Sequence, residues 1–229
     1  MSAIDDSLAV LEKARLHTDK VAVGFSGGKD SLIVLDLCMR VFPTVVPFFM
    51  YLVPGLEVTD GELAKAEDRF GLKIQQYPHF LLTDFLKSGM FCDPSYKYDD
   101  LPDIKLRDIY DIIKIGTGCP AIITGAKSSD SAWRRRYFHI TRTWTDVIYP
   151  IQTWNKLDVL GYLRTRGIPV PPSSGKNATG VDLSEDSVFW LHDNYPEDFK
   201  KLCEVFPYAE ARIHRRTFYP PEKSGSKKP

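Results

Sequence analysis

The 229-residue chain carries no excess charge of either sign, with 30 Lys and Arg against 30 Asp and Glu. No global field therefore draws it toward nucleic acid or an acidic membrane, and any such partner must be met by a local patch. Cysteine is scarce, and Cys38, Cys92, Cys119 and Cys203 lie too far apart for a Cys-x-x-Cys pair. That spacing argues for a reduced, cytoplasmic setting, as does a start without a basic-then-apolar leader. No apolar run approaches the ~18 residues of a membrane span, so no membrane partner is expected. The five histidines, His17, His79, His139, His192 and His214, show no i, i+4 pairing, and no protein-ligated metal is expected.

What the chain does have is 43% hydrophobic content, enough to bury one sizeable core. Strand-like and helix-like stretches alternate, which predicts an α/β fold with an open, mostly parallel, doubly wound sheet. Residues 8–16 read as a lead-in helix and 21–25 as the first strand. Leu32, Leu35, Met39 and Phe42 then recur at helical spacing. Residues 45–53 form a second strand, apolar on both faces. Thr59 with Glu62 reads as a capping box for a helix that ends at Gly71, and 72–77 as the third strand.

Residues 80–103 lack regular patterning. Their Cys92, Asp93, Pro94, Tyr96, Tyr98 and Pro102 suit a turn-rich loop that is either a surface excursion or a place to hold a substrate. A helix over 106–115, a strand over 121–124 and another at Val147 and Ile148 follow. Asn155, with Asp158 three residues on, caps a helix running to Gly167. Ser184 caps a short helix, and Phe199, Leu202 and Phe206 mark one more. The expected division is an α/β domain over 1–172, a small helical C-terminal extension over 173–219, and a disordered tail over 220–229.

Between the first strand and its helix the chain reads Ser26-Gly27-Gly28-Lys29-Asp30-Ser31. Two glycines allow a tight turn that presents backbone N–H groups, and the helix that follows adds the positive end of its dipole. Lys29 supplies a charge, Ser26 and Ser31 hydroxyls, and the expected guest is a polyphosphate. A Walker-type loop is excluded, because Val23 and Asp30 stand where it needs Gly and Ser or Thr. The dinucleotide fingerprint fails at Ser26. A second anion site is expected where residues 125–136 leave the end of a strand. There Lys127, Ser131, Arg134, Arg135 and Arg136 suit an oxyanion of the substrate, a solvated basic loop or a nucleic-acid contact.

The Ser-Gly-Gly-x-Asp-Ser pattern resembles the PP-loop signature of the adenine nucleotide α-hydrolase superfamily, a Rossmann-like fold. Pro150, Ile151, Trp154, Asp158, Val159 and Tyr162 resemble, position by position, a stretch of its phosphoadenylylsulfate (PAPS) reductase-like branch. The resemblance spans about residues 20–172. It implies ATP, or PAPS as the substrate nucleotide, with Mg2+ bridging the leaving phosphates. Carried over, Ser26, Gly27, Gly28, Lys29, Asp30 and Ser31 would hold the phosphates, with Lys29, Asp30 and Ser31 catalytic. Val23, Gly24, Phe25, Tyr51 and Leu52 would flank the base.

Three features depart from that branch, the first being Val53 or Pro54 where an acidic residue often ends the second strand. After Phe206 there is no Glu-Cys-Gly-x-His nucleophile, and residues 175–183, where many relatives carry a cysteine pair, contain none. Cys119 reads either as a sulfur-relay thiol or as a small buried hydrophobe. Three readings follow: an enzyme adenylating an unidentified acceptor, a PAPS reductase or sulfotransferase, and a nucleotide-binding module without turnover. The Arg212 to Arg216 cluster with Phe218 and Tyr219 reads as a nucleic-acid contact or an ordinary cationic helix end. A homodimer is left open.

Overall fold

The computed structural model describes residues 2–93, 98–140, 146–171 and 182–218, without the side chains of 137–140. Pro94, Tyr96, Tyr219, most of the cysteine-free 175–183 stretch and the tail lie outside the described residues. Five strands form one parallel sheet in the order β3-β2-β1-β4-β5. They are β1 (Lys20–Gly24), β2 (Thr44–Tyr51), β3 (Gln75–Pro78), β4 (Ala121–Ile123) and β5 (Val147–Ile148).

Alternation along the strands sorts side chains between two layers. Val21, Val23, Val45, Phe49, Ala121 and Ile123 enter one core with α1 (Ala3–Arg15), α2 (Lys29–Val41), α3 (Glu57–Phe70) and α7 (Lys156–Thr165). Ala22, Phe48 and Ile122 enter the other, against Ile109 and Ile113 of α5 (Leu106–Thr117). The sheet is thus covered on both faces, as its continuous apolar strands require. Chain order reverses between β1 and β4, so the carboxyl ends of these two strands form the switch point, the usual ligand edge of such a sheet.

Long-range bonds fix the helices of the first layer. Trp154 is 1% exposed, and its indole donates to Ser7 Oγ (2.8 Å) and Ala3 O (3.1 Å) of α1. Ser7 in turn donates to Pro150 O at 2.7 Å. Asp36 of α2 accepts from the Tyr162 hydroxyl (2.5 Å) and from Arg166 Nε (2.9 Å), tying α7 across α2. Burial and the Asp36 carboxylate push the Tyr162 phenol up to about 12. Asn155 and Asp158 form the capping box of α7.

A second apolar cluster lies beyond the sheet. There α8 (Glu185–Asn194), α9 (Pro196–Val205) and α10 (Ala209–Phe218) gather on Leu52, Val53, Leu56, Phe91 and Cys92. Arg216 pairs with Asp193 (2.7 Å), and Arg212 lies over the Phe91 ring (5.2 Å), so both serve this packing.

Four expectations need correction. The helix expected from Thr59 starts at Glu57, without a side-chain cap of its own. Its first N–H groups donate instead to buried Asp198 of α9, Glu57 N at 2.8 Å and Val58 N at 2.9 Å. The third strand starts at Gln75 rather than 72, after Ile74 turns into the core. The irregular stretch contains α4 (Leu82–Lys87), whose Phe85 and Leu86 pack on the second cluster. Arg134, Arg135 and Arg136 lie on α6 (Ala132–Ile140), where a basic loop was expected. Among the described residues no helix is long and apolar enough to cross a membrane.

Candidate functional site

Phe25 N–H donates to Phe48 O (2.8 Å), extending the sheet pairing one residue past β1 before the chain turns. Gly27 then adopts φ +73°, a conformation that strains any side-chain-bearing residue. Gly28 is the N-cap of α2 and offers no side-chain cap, so the first N–H groups of the helix face the ligand edge. Ser31 braces the bend, donating to Gly28 O (2.8 Å) and accepting from Ser26 N (3.2 Å).

The parallel strand β4 delivers the second half of the site. A Cβ on Gly125 would lie 3.1 Å from the Asp30 carbonyl carbon and oxygen, a tight contact that glycine avoids where this chain passes the first turn of α2. Two residues later Lys127 is 6% exposed, with its ammonium 2.5 Å from Asp30 Oδ2 and 3.3 Å from Asp130 Oδ1. Lys29 is 3.3 Å from the same Asp30 oxygen, and Arg134 is 2.7 Å from Asp130. The result is a chain of alternating charge, Lys29, Asp30, Lys127, Asp130, Arg134, running from the loop to α6. Burial pushes the Asp130 carboxyl up, but the Lys127 N–H, its ammonium and Arg134 outweigh this and hold it below the ordinary value.

The structure thus brings Ser26, Gly27, Gly28, Lys29, Asp30, Ser31 and Lys127 together. Ser131 Oγ accepts from Arg134 N (3.1 Å) at the start of α6, while Arg135 and Arg136 are exposed farther along it. Of the residues expected beside the base, Val23 and Phe25 turn their side chains into the core, and the Phe25 N–H is taken by Phe48 O. Leu52 packs into the C-terminal cluster, Gly24 is half-buried, and Tyr51 ends β2 at the ligand edge.

Sequence reasoning missed His79, which follows β3 at the same edge. Its N–H donates to Tyr51 O (2.8 Å), and its Nδ1 accepts from Leu81 N (3.2 Å). Burial holds its pKa below the usual imidazole value. Its place directly after a strand ending in Pro78 was the available signal.

Asp30 Oδ1 is buried with no hydrogen-bond partner among the described residues. A leftover carboxylate oxygen beside a phosphate loop fits Mg2+, which binds through one or two carboxylates and the oxygens of a nucleotide. The cysteines do not fit a protein-held cluster. Cys38 and Cys119 are in separate cores, Cys92 donates to Val205 O (3.3 Å), and among the described residues no three His, Cys, Asp or Glu gather to hold a metal. Cys119 precedes β4 at the amino edge of the sheet, opposite the loop. Burial pushes the Cys203 thiol up to about 11.

A doubly wound parallel sheet with a Ser-Gly-Gly-Lys-Asp-Ser bend at its switch point defines a PP-loop protein of the adenine nucleotide α-hydrolase class. Within that class, residues 20–176 match the phosphoadenosine phosphosulfate reductase domain, and the chain belongs to that family. No curated protein sequence matches it. Among solved structures it is similar to the U34-tRNA thiolase NcsA from Methanococcus maripaludis with its 4Fe–4S cluster. That match has TM-score 0.51 and 17% identity over 93% of this chain and 80% of that one. Similar too is the NH3-dependent NAD synthetase from Campylobacter jejuni in complex with nitrate, with TM-score 0.49 and 11% identity over 94% of each chain.

Proposed function

We propose that the chain cleaves ATP between its α and β phosphates and transfers AMP to an acceptor. The bend at residues 26–31, with Lys29 beside it and the helix dipole behind it, suits the β and γ phosphates. An acceptor nucleophile attacks the α phosphorus, the bond to the bridging oxygen breaks, and pyrophosphate leaves. Charge grows on the departing phosphates, where Lys29 and the N–H groups of α2 stabilise it without reorganising. Ser31 holds the bend, and Asp30 holds Lys29 while offering Oδ1 to Mg2+. Bound there, Mg2+ would neutralise the leaving phosphates.

The observation that carries this reading against reduction of PAPS is where the thiols lie. A sulfur-attacking enzyme needs an accessible thiolate. Three of the four cysteines are buried and the fourth is raised to about 11, and Cys119 faces away from the loop. The family match keeps PAPS as the competing nucleotide, and its use would require a thiol from another molecule.

Incubation with α-labelled ATP is expected to yield AMP and pyrophosphate, with Lys29→Ala slower by about 100-fold or more. A rise in melting temperature with ATP but no AMP would reduce the chain to a binding module. Thioredoxin-dependent reduction of PAPS that survives loss of Cys92 and Cys119 would replace this reading with reduction by an external thiol.

A further inference from the structure

Residues 132–140 read Ala-Trp-Arg-Arg-Arg-Tyr-Phe-His-Ile, with Arg134, Arg135 and Arg136 among three aromatics and no acidic residue. In a chain whose 30 basic and 30 acidic residues cancel, this is a local concentration of positive charge. The stretch is α6, which leaves the ligand edge of the sheet directly after Ser131. Trp133 is 69% exposed, and Arg135 and Arg136 are exposed beside it. Trp133 thus presents a large, mostly solvent-facing indole on the same helix as these guanidinium groups.

We propose that α6 binds the acceptor, and that the acceptor is single-stranded nucleic acid or an unpaired loop of one. Arginine forks suit phosphodiester oxygens, and an exposed indole offers a stacking face that any unpaired base can use. The position of the helix gives the contact a purpose. Arg134 joins Asp130 (2.7 Å), Asp130 joins Lys127, and Lys127 joins Asp30 in the phosphate loop, so a strand lying along α6 is led toward the reacting phosphate. The assignment of this strand as acceptor rests on the adenylating reading, whereas the binding surface does not.

The test is fluorescence anisotropy with labelled mixed-sequence RNA and DNA 20-mers, single-stranded and duplex, across a series of KCl concentrations in ATP-free buffer. Single strands are expected to bind more tightly than duplexes, and the better of the two single strands identifies the source. In R135E/R136E the affinity falls at least tenfold, and the slope of log K against log salt drops by about 1.4, ~0.7 for each lost phosphate contact. In Trp133→Ala it falls about fivefold or more through lost stacking, while R135K/R136K keeps the slope. Absence of binding at about 50 mM salt, or variants that bind like the parent, overturns the proposal. Equal binding of polyglutamate, insensitive to Trp133, overturns it in favour of an acidic polypeptide. AMP production from ATP measured without oligonucleotide tests the phosphate loop separately, so failure of one reading is distinguishable from failure of the other.

Discussion

A methyl group on Gly125 would meet the backbone of Asp30 at 3.1 Å, and backbone, unlike a side-chain tip, cannot swing aside. In Gly125→Ala the end of β4 must retreat from α2, drawing Lys127 away from Asp30. The expected loss is about 1–3 kcal/mol in denaturant unfolding, the range of overpacking, together with weaker nucleotide binding by calorimetry. Equal affinity in the variant would show that the loop does not depend on this approach. His79 makes a prediction of a different kind. Burial lowers its folded pKa below 6.5, so its contribution to stability is complete above that value and is lost as the pH falls through the folded pKa. Thermal melts of the parent should therefore decline on acidification below pH 6.5, and His79→Gln should flatten that part of the profile.

At the scale of elements, bonds between distant segments set where helices begin and how they cross. Asp198→Ala removes the carboxylate that caps α3 from 2.8 and 2.9 Å, and about 1–2 kcal/mol of stability should go with it in urea titration. Tyr162→Phe leaves Asp36 with Arg166 as its partner and should cost about 1–3 kcal/mol, with nucleotide affinity kept. These contacts also mark what the sequence could and could not disclose. Most strands, the glycine bend and the Asn155 and Ser184 caps are local patterns, written in neighbouring residues, and they are legible. Asp198 lies 141 residues from Glu57, and no local pattern at Thr59 announces it. Lys127 was legible as a cation at a strand end, but its burial between Asp30 and Asp130 follows from β1 and β4 being neighbours, which pairing alone decides. Helix α6 was read as a loop because its three consecutive arginines stood out over Trp133, Tyr137 and Ile140, which recur at helical spacing.

At the scale of the whole molecule, the helices after 182 complete a core begun earlier in the chain. Leu183, Val188, Leu191, Leu202 and Phe206 are each at most 4% exposed and cover Leu52, Val53, Leu56 and Phe91. Each such side chain contributes about 1.5–3 kcal/mol on burial, so together they approach the roughly 5–15 kcal/mol by which a domain of this kind is stable. Ending the chain at residue 182 would expose the apolar turn after β2 and remove the Asp198 cap of α3 at the ligand edge. Such a chain is expected to aggregate or to melt far below the parent, and to lose nucleotide binding even though every residue of the phosphate bend is present. Cooperative melting of the shortened chain at the parent temperature, with ATP still bound, would make the C-terminal helices an accessory. Failure on both counts would make them part of the nucleotide domain, because the turn that leaves β2 beside the bend is held from its far side by α9.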